Sequence, residues 1–173
     1  MRPRQTPSTD PLSALWLISD ARNDAVLERA LARLPRGSGL VFRHYHLPPA
    51  KRRARFAALR RLCHAHGHMA VLAGDARWPA DGQYGAKVPG RRYLATAHSA
   101  REIARANLAG ADAVLLSPVF PTRSHPGVAT LGPVRFRLLA RLSAVPVIAL
   151  GGMDARRARR LRWPCWAAID GLS

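Results

Sequence analysis

The sequence predicts an α/β fold: a compact, degenerate (β/α)8 TIM barrel in which helices 3, 4 and 8 are short or missing. Three observations predict it. Apolar runs rich in Val, Ile and Leu, bounded by turn residues, recur along the chain as strands buried on both faces. Segments of helical spacing separate most of them, the pattern of a parallel sheet with helices packed outside it. About eight such strands share a chain of 173 residues, whereas barrels of this kind usually exceed about 200. Some helices must therefore be lost. An open doubly wound sheet is the alternative.

The elements follow in order. A strand at Leu15–Ser19 leads to a helix around Asp24–Leu34, and a second strand is read at Leu40–Tyr45. After Pro48-Pro49 a helix runs from Ala50 to His66, where Phe56, Leu59 and Leu62 recur as one packed face. A third strand, Met69–Ala73, ends in Gly74-Asp75. Arg77 to Arg92, interrupted by Pro79, Gly82, Gly85, Pro89 and Gly90, has room for one short strand and no proper helix. Alternation resumes with a strand at Tyr93–Ala97 and a helix at Ser99–Ala109, where Ser99 and Glu102 form a capping-box pattern. The next strand, within Gly110–Ser117, breaks into a loop of Pro, Thr, Ser and His that ends at Gly127. A helix over Pro133–Ser143 precedes the strand of Val145–Met153, and Asp154 is the expected N-cap of a basic helix. Trp166–Ile169 is the last strand.

Residues 13–173 read as one domain behind a flexible, proline-rich tail of residues 1–12. No apolar run approaches the roughly 18 residues of a membrane span, and no secretory pattern opens the chain. Two cysteines, Cys63 and Cys165, form no disulfide framework and suit a reducing compartment, so a cytoplasmic location is expected. The net charge of +18 is mostly arginine in Ala/Arg/Leu-rich helices. Solvated helix faces explain it, and a field that attracts phosphorylated metabolites or nucleic acid is the sharper reading. No zinc-finger, RRM or helix-turn-helix pattern accompanies the charge, so nucleic acid is the less favoured partner.

Parallel α/β folds put chemistry at the carboxyl ends of their strands. Two loops there stand out. Gly151-Gly152 leaves backbone N–H groups open to an anion, because no Cβ intervenes; a purely geometric turn is the competing reading. Pro121-Thr122-Arg123-Ser124-His125-Pro126-Gly127 is dense in donors for phosphate oxygens, and His125 adds a group that titrates near neutrality. His44 and His46 alternate along the second strand and are expected on one side of it. Cys63-His64-Ala65-His66-Gly67-His68 lacks an established zinc spacing and spans a helix end and a turn, so a helix-terminal role is expected for its histidines. Trp163, Pro164 and Trp166 cover the barrel end that a missing helix leaves bare, or make a homodimer contact.

Gly110-Ala-Asp-Ala-Val…Ser117-Pro-Val-Phe-Pro-Thr122, then Val145-Pro-Val-Ile-Ala-Leu-Gly-Gly-Met153, resembles the thiamine phosphate synthase/TenI family. Thr96-Ala97-His98-Ser99 is similar to its Ser-Thr-His-Ser segment, and Leu15–Asp20 to its first strand. The resemblance implies a (β/α)8 barrel. It implies an enzyme that joins 4-amino-2-methylpyrimidine diphosphate to a thiazole phosphate with Mg²⁺ and release of pyrophosphate. A TenI-like member would instead aromatise the thiazole by moving a proton. Phosphate binding is implied for Thr122, Arg123, Ser124, Gly151, Gly152, Ala168 and Ile169, with Asp170 expected to point away. Catalytic roles are implied for Arg43, His98 and His125, and the metal site falls to Asp75.

The chain departs from the synthase pattern in its first half. Tyr45 stands where the family carries lysine after Arg43, Gly74 precedes Asp75 in place of asparagine, and the helix with a second metal-binding Asp is missing. Ala80-Asp81-Gly82-Gln83-Tyr84-Gly85 resembles the family's Ala-Asp-Gly-Val-His-Leu-Gly with Tyr84 for the histidine. The thiazole half is kept and the pyrimidine diphosphate half eroded. A synthase is the first reading, then a tautomerase, a non-catalytic phosphate-binding barrel, and last a nucleic-acid binder.

Overall fold

The computed structural model describes residues 12–123 and 127–172; the tail expected at residues 1–12 falls almost wholly outside them. Eight parallel strands close into a barrel in chain order. They are β1 (Leu15–Ile18), β2 (Gly39–Phe42), β3 (Met69–Ala73), β4 (Gly82–Tyr84), β5 (Arg92–Ala97), β6 (Ala113–Leu116), β7 (Val147–Ala149) and β8 (Trp166–Ala168). Closure comes from β1 on β8, with Leu15 opposite Trp166 and Leu17 opposite Ala168. The open sheet is thereby excluded. Five α-helices lie between strands: α1 (Leu27–Arg33), α2 (Pro49–Ala65), α3 (Ala100–Leu108), α4 (Gly132–Ala140) and α5 (Ala155–Leu161). Among the described residues, β3–β4 and β4–β5 are joined without a helix, and β8 is followed by one 3-10 turn, Asp170–Leu172.

Period-two alternation divides the core into layers. Trp16, Ile18, Val41, Val71, Leu94, Leu115 and Ile148 point into the barrel and fill it. Trp16 is fully buried, and its indole N–H donates to the Ser13 carbonyl at 2.7 Å. The space it occupies explains Gly39: a Cβ there would lie 2.3 Å from the indole ring. The outward residues form two separate shells. Leu17, Leu40, Phe42, Leu72, Leu31 and Phe56 join β1–β3 to α1 and α2. Val114, Leu116, Ala149, Ile103, Phe136 and Leu161 join the later strands to α3, α4 and α5.

Local chemistry fixes the helix starts. Ser99 accepts from the Glu102 N–H at 3.3 Å, while the Glu102 carboxylate accepts from the His98 N–H at 2.6 Å. Asp154 caps α5 by accepting from the Arg157 N–H at 2.8 Å. Two aspartates secure strand starts: Asp81 accepts from the Ala70 N–H at 2.7 Å and Asp112 from the Tyr93 N–H at 2.6 Å. The second strand is shorter than the sequence suggests. The chain leaves β2 after Phe42, and His44 adopts φ 40° instead of continuing as strand.

Candidate functional site

Two adjoining cavities open at the carboxyl end of the barrel. One, of about 440 Å³, is lined by Pro121, Thr122, Arg123, Gly151, Gly152, Arg157, Ile169 and Asp170, among others. The other, of about 520 Å³, is lined by Arg43, Tyr45, Tyr84, His98, Ser117, Thr122, Gly151 and Ile169, among others. Thr122, Leu150, Gly151 and Ile169 belong to both and form the ridge between them.

The first cavity is built by the loop after β6 meeting the loop after β7. The Val119 N–H donates to the Leu150 carbonyl at 2.9 Å and the Phe120 N–H to the Gly151 carbonyl at 3.1 Å. This approach demands glycine. Gly151 and Gly152 have φ 96° and 59°, and a Cβ on either would lie 2.6 Å from Pro118 Cα or 2.3 Å from the Pro121 carbonyl. The tight turn and the anion cradle are therefore one feature, because the geometry that needs glycine also exposes its backbone. Arg157 reaches back from α5 to the Gly152 carbonyl and lies over the Phe120 ring at 5.4 Å. The sequence reading missed Arg157 because it sits in an arginine-rich helix; its place one turn after Asp154 was the available signal. The Asp170 carboxylate borders this cavity but accepts from Arg22 Nη1 at 3.3 Å, which offsets its charge. The Ala168 side chain is buried in the shell beneath the helices, so only its backbone faces this end. Ser124 and His125 lie outside the described residues.

In the second cavity, His98 is held by one ring nitrogen. Nδ1 lies 2.7 Å from the Ser117 carbonyl, which can only accept, so Nδ1 carries the proton. Neutral His98 therefore presents an unprotonated Nε2. Arg43 shares this cavity with Tyr45 and Tyr84, and burial pushes the Tyr84 phenol up. Asp75 follows β3 at the same end and is exposed.

His44 and His46 do not sit on a strand, because β2 ends at Phe42, although their rings lie 4.9 Å apart. The left-handed turn carries His44 inward, where it is 1% exposed, while His46 stays outside. Ser19 Oγ and His44 Nδ1 are 2.8 Å apart. His44 Nε2 is 2.9 Å from Asp24 Oδ1, although the ring N–H is not aimed at that oxygen. Burial lowers the His44 pKa more than Asp24 raises it. The Cys63–His68 cluster is dispersed: His64 pairs with Asp81 at 2.9 Å, and His68 Nε2 meets the Leu31 carbonyl at 3.0 Å. Burial pushes the Cys63 thiol up to about 12. Among the described residues, no group of three His, Cys, Asp or Glu side chains could hold a metal ion. Trp163 packs edge-on against Phe136 at 5.0 Å and donates to the Val147 carbonyl, so it closes the flank beside α5.

Residues 91–169 match the family model described as thiamine monophosphate synthase. The thiamine-phosphate synthase of Chromobacterium violaceum is 34% identical over 160 residues, covering 83% of this chain and 76% of that protein. The chain belongs to the thiamine monophosphate synthase family. The bifunctional thiamine biosynthesis protein ThiM/ThiE of Symbiobacterium thermophilum is 31% identical over 170 residues, and this family member spans 35% of its length. The same fold appears in a thiamine phosphate pyrophosphorylase from Pyrococcus furiosus (TM-score 0.77, 21% identity, 91% of this chain and 85% of that one). FabK from Thermotoga maritima shares it more distantly, in its M276A mutant structure (TM-score 0.66, 18% identity, 93% and 62%). Among the described residues, no helix is long and apolar enough to cross a membrane.

Proposed function

We infer that this protein is a thiamine-phosphate synthase that joins an aminopyrimidine diphosphate to a thiazole phosphate. The observation that carries the reading is the pair of cavities meeting at Thr122 and Gly151, one suited to a phosphate and the other to a second, larger reactant. The thiazole phosphate would sit with its phosphate on Gly151-Gly152, Thr122, Arg123 and Arg157, beside Ile169. Cations and backbone N–H groups there fix the phosphate and leave the ring nitrogen free to face the second cavity. Arg43 would hold the diphosphate of the pyrimidine.

The reaction then needs no protein nucleophile. The bond from the pyrimidine methylene to the diphosphate oxygen breaks, the pair leaves with pyrophosphate, and the thiazole nitrogen captures the resulting cation. Arg43 stabilises the charge that grows on the leaving group. The thiazole nitrogen attacks through its lone pair and gives up no proton, so His98 serves here as an acceptor: its unprotonated Nε2 would take a hydrogen bond from the amino group of the pyrimidine as positive charge grows on that ring.

Magnesium is implied by the family, and one carboxylate at this mouth fits it. Mg²⁺ commonly binds through one or two carboxylates plus substrate phosphates, and Asp75 would supply that carboxylate to an ion arriving on the diphosphate. When bound, the ion would neutralise the leaving oxygens. The unpaired cysteines support a cytoplasmic setting.

The test is product formation. Purified protein with pyrimidine diphosphate, thiazole phosphate and Mg²⁺ is expected to yield thiamine phosphate by chromatography, with turnover lost in Asp75→Ala. Absence of product from folded protein would reject the synthase reading.

A further inference from the structure

Arg52 is the least expected residue near the site. It lies in the first turn of α2, where the helix dipole disfavours a cation, and is half-buried. Its Nε donates to the Arg43 carbonyl at 2.8 Å and its Nη2 to the Ala73 carbonyl at 2.7 Å. One guanidinium thus bridges the chain leaving β2 and the last residue of β3. Aromatic rings enclose it, with Tyr45 at 4.8 Å, Trp78 at 5.2 Å and Phe42 at 5.9 Å from the guanidinium carbon.

The backbone it grips is unusual. Directly after Arg43, His44 takes a left-handed conformation, which a non-glycine residue keeps only when its surroundings enforce it. The Arg43 N–H is fixed by Ser19 Oγ at 2.8 Å, and the Arg43 carbonyl by Arg52. Both sides of the residue are held, while its side chain lines the second cavity. The other carbonyl held by Arg52, that of Ala73, lies two residues before Asp75, whose charge also acts on Arg52.

We propose that Arg52 is a positioning residue that fastens the β2 and β3 ends together and so aims Arg43 at a diphosphate group. The proposal rests on the synthase reading for the identity of the ligand. A planar fork is required, because one carbonyl lies just beyond β2 and the other on the last residue of β3, and the aromatic rings surround a flat cation. Lysine keeps the charge and loses both properties. Arg52 touches no substrate; it acts through Arg43.

The experiment measures inorganic pyrophosphate binding by calorimetry, with thiazole phosphate as the ligand of the other cavity. R52K is expected to weaken pyrophosphate about tenfold. Thiazole phosphate affinity and melting temperature stay near wild type, and R53K, on an exposed neighbour of the same helix, changes neither ligand. In R43A the further change R52K adds nothing, since the pathway is already cut. Should R52K fail to fold, W78L loosens the same guanidinium and is expected to show the same selective loss. The proposal is overturned if R52K (or W78L in its place) spares pyrophosphate, weakens both ligands alike, or adds independently to R43A. Wild-type protein that binds no pyrophosphate also overturns it. Arg52-dependent pyrophosphate binding without thiamine phosphate formation rejects only the synthase reading.

Discussion

His98 shows how one contact sets the chemistry of a side chain. A carbonyl cannot donate, so the Ser117 oxygen at 2.7 Å fixes the tautomer and leaves Nε2 as an acceptor in the cavity. His98→Asn keeps a donor for Ser117 and removes the ring acceptor from the cavity. Steady-state kinetics are expected to show kcat about 100-fold lower with thiazole phosphate affinity retained; an unchanged kcat would remove His98 from the reaction. His44 and His68 carry a different consequence. Both are buried, and burial lowers both pKa values from the ordinary histidine range. Below about pH 6.5 the unfolded chain takes up protons that the folded chain refuses, so stability is lost as pH falls through that range. The melting temperature is expected to drop between about pH 7 and pH 5, before the carboxylates protonate. Partners differ: His44 faces Asp24, His46 and Arg55, while His68 faces the Leu31 carbonyl, His66 and Arg36. His68→Gln, which can still donate to Leu31, is expected to flatten the slope, and an equally steep slope in that variant would assign the loss elsewhere.

Among the elements, the loops after β6 and β7 behave as one unit because Gly151 and Gly152 let them touch. Gly152→Ala places a Cβ 2.3 Å from the Pro121 carbonyl at φ 59°. Parting the loops is expected to cost about 1–3 kcal/mol in thermal unfolding and to weaken thiazole phosphate in the same variant. Gly39→Ala strikes the barrel-filling Trp16 instead, and is expected to cost a similar stability while the ligand sites hold, which calorimetry of the two variants separates. The contrast shows what was legible in the chain. Strand order, the helix-free stretches and Asp154 as a cap were readable, because alternation, Pro/Gly content and capping residues act locally. The Ala-Asp pairs at Asp81 and Asp112 look like signature chemistry, yet they tie neighbouring strands. The burial of His44 and the roles of Arg52 and Arg157 escaped notice. A left-handed turn, a stacked cation and a hooked-back arginine depend on partners far along the chain, and Arg52 and Arg157 sit in arginine-rich runs that read as solvated surface.

The charge of the whole molecule gives the remaining prediction. The chain has 28 Lys and Arg against 10 Asp and Glu. Several of those carboxylates are already engaged: Asp20 and Asp170 by Arg22, Asp24 and Glu28 by Arg55, and Asp81 by His64. The excess is therefore cationic over much of the surface, and the barrel mouth contributes Arg43, Arg123 and Arg157 to it. Both proposed substrates are anions. A positive field concentrates them at a cleft with low-dielectric walls, and salt screens that field over about 10 Å at 0.1 M. Raising NaCl from about 25 to about 250 mM is expected to lower kcat/KM about tenfold for the diphosphate substrate, with kcat within about twofold. If the arginines were only solvated helix faces, kcat/KM would follow the weak salt dependence of any bound anion. If nucleic acid were the partner, heparin would retain the protein at low salt and thiazole phosphate would not release it. A steep kcat/KM dependence, together with heparin release by thiazole phosphate, would place the +18 charge in the service of the barrel mouth.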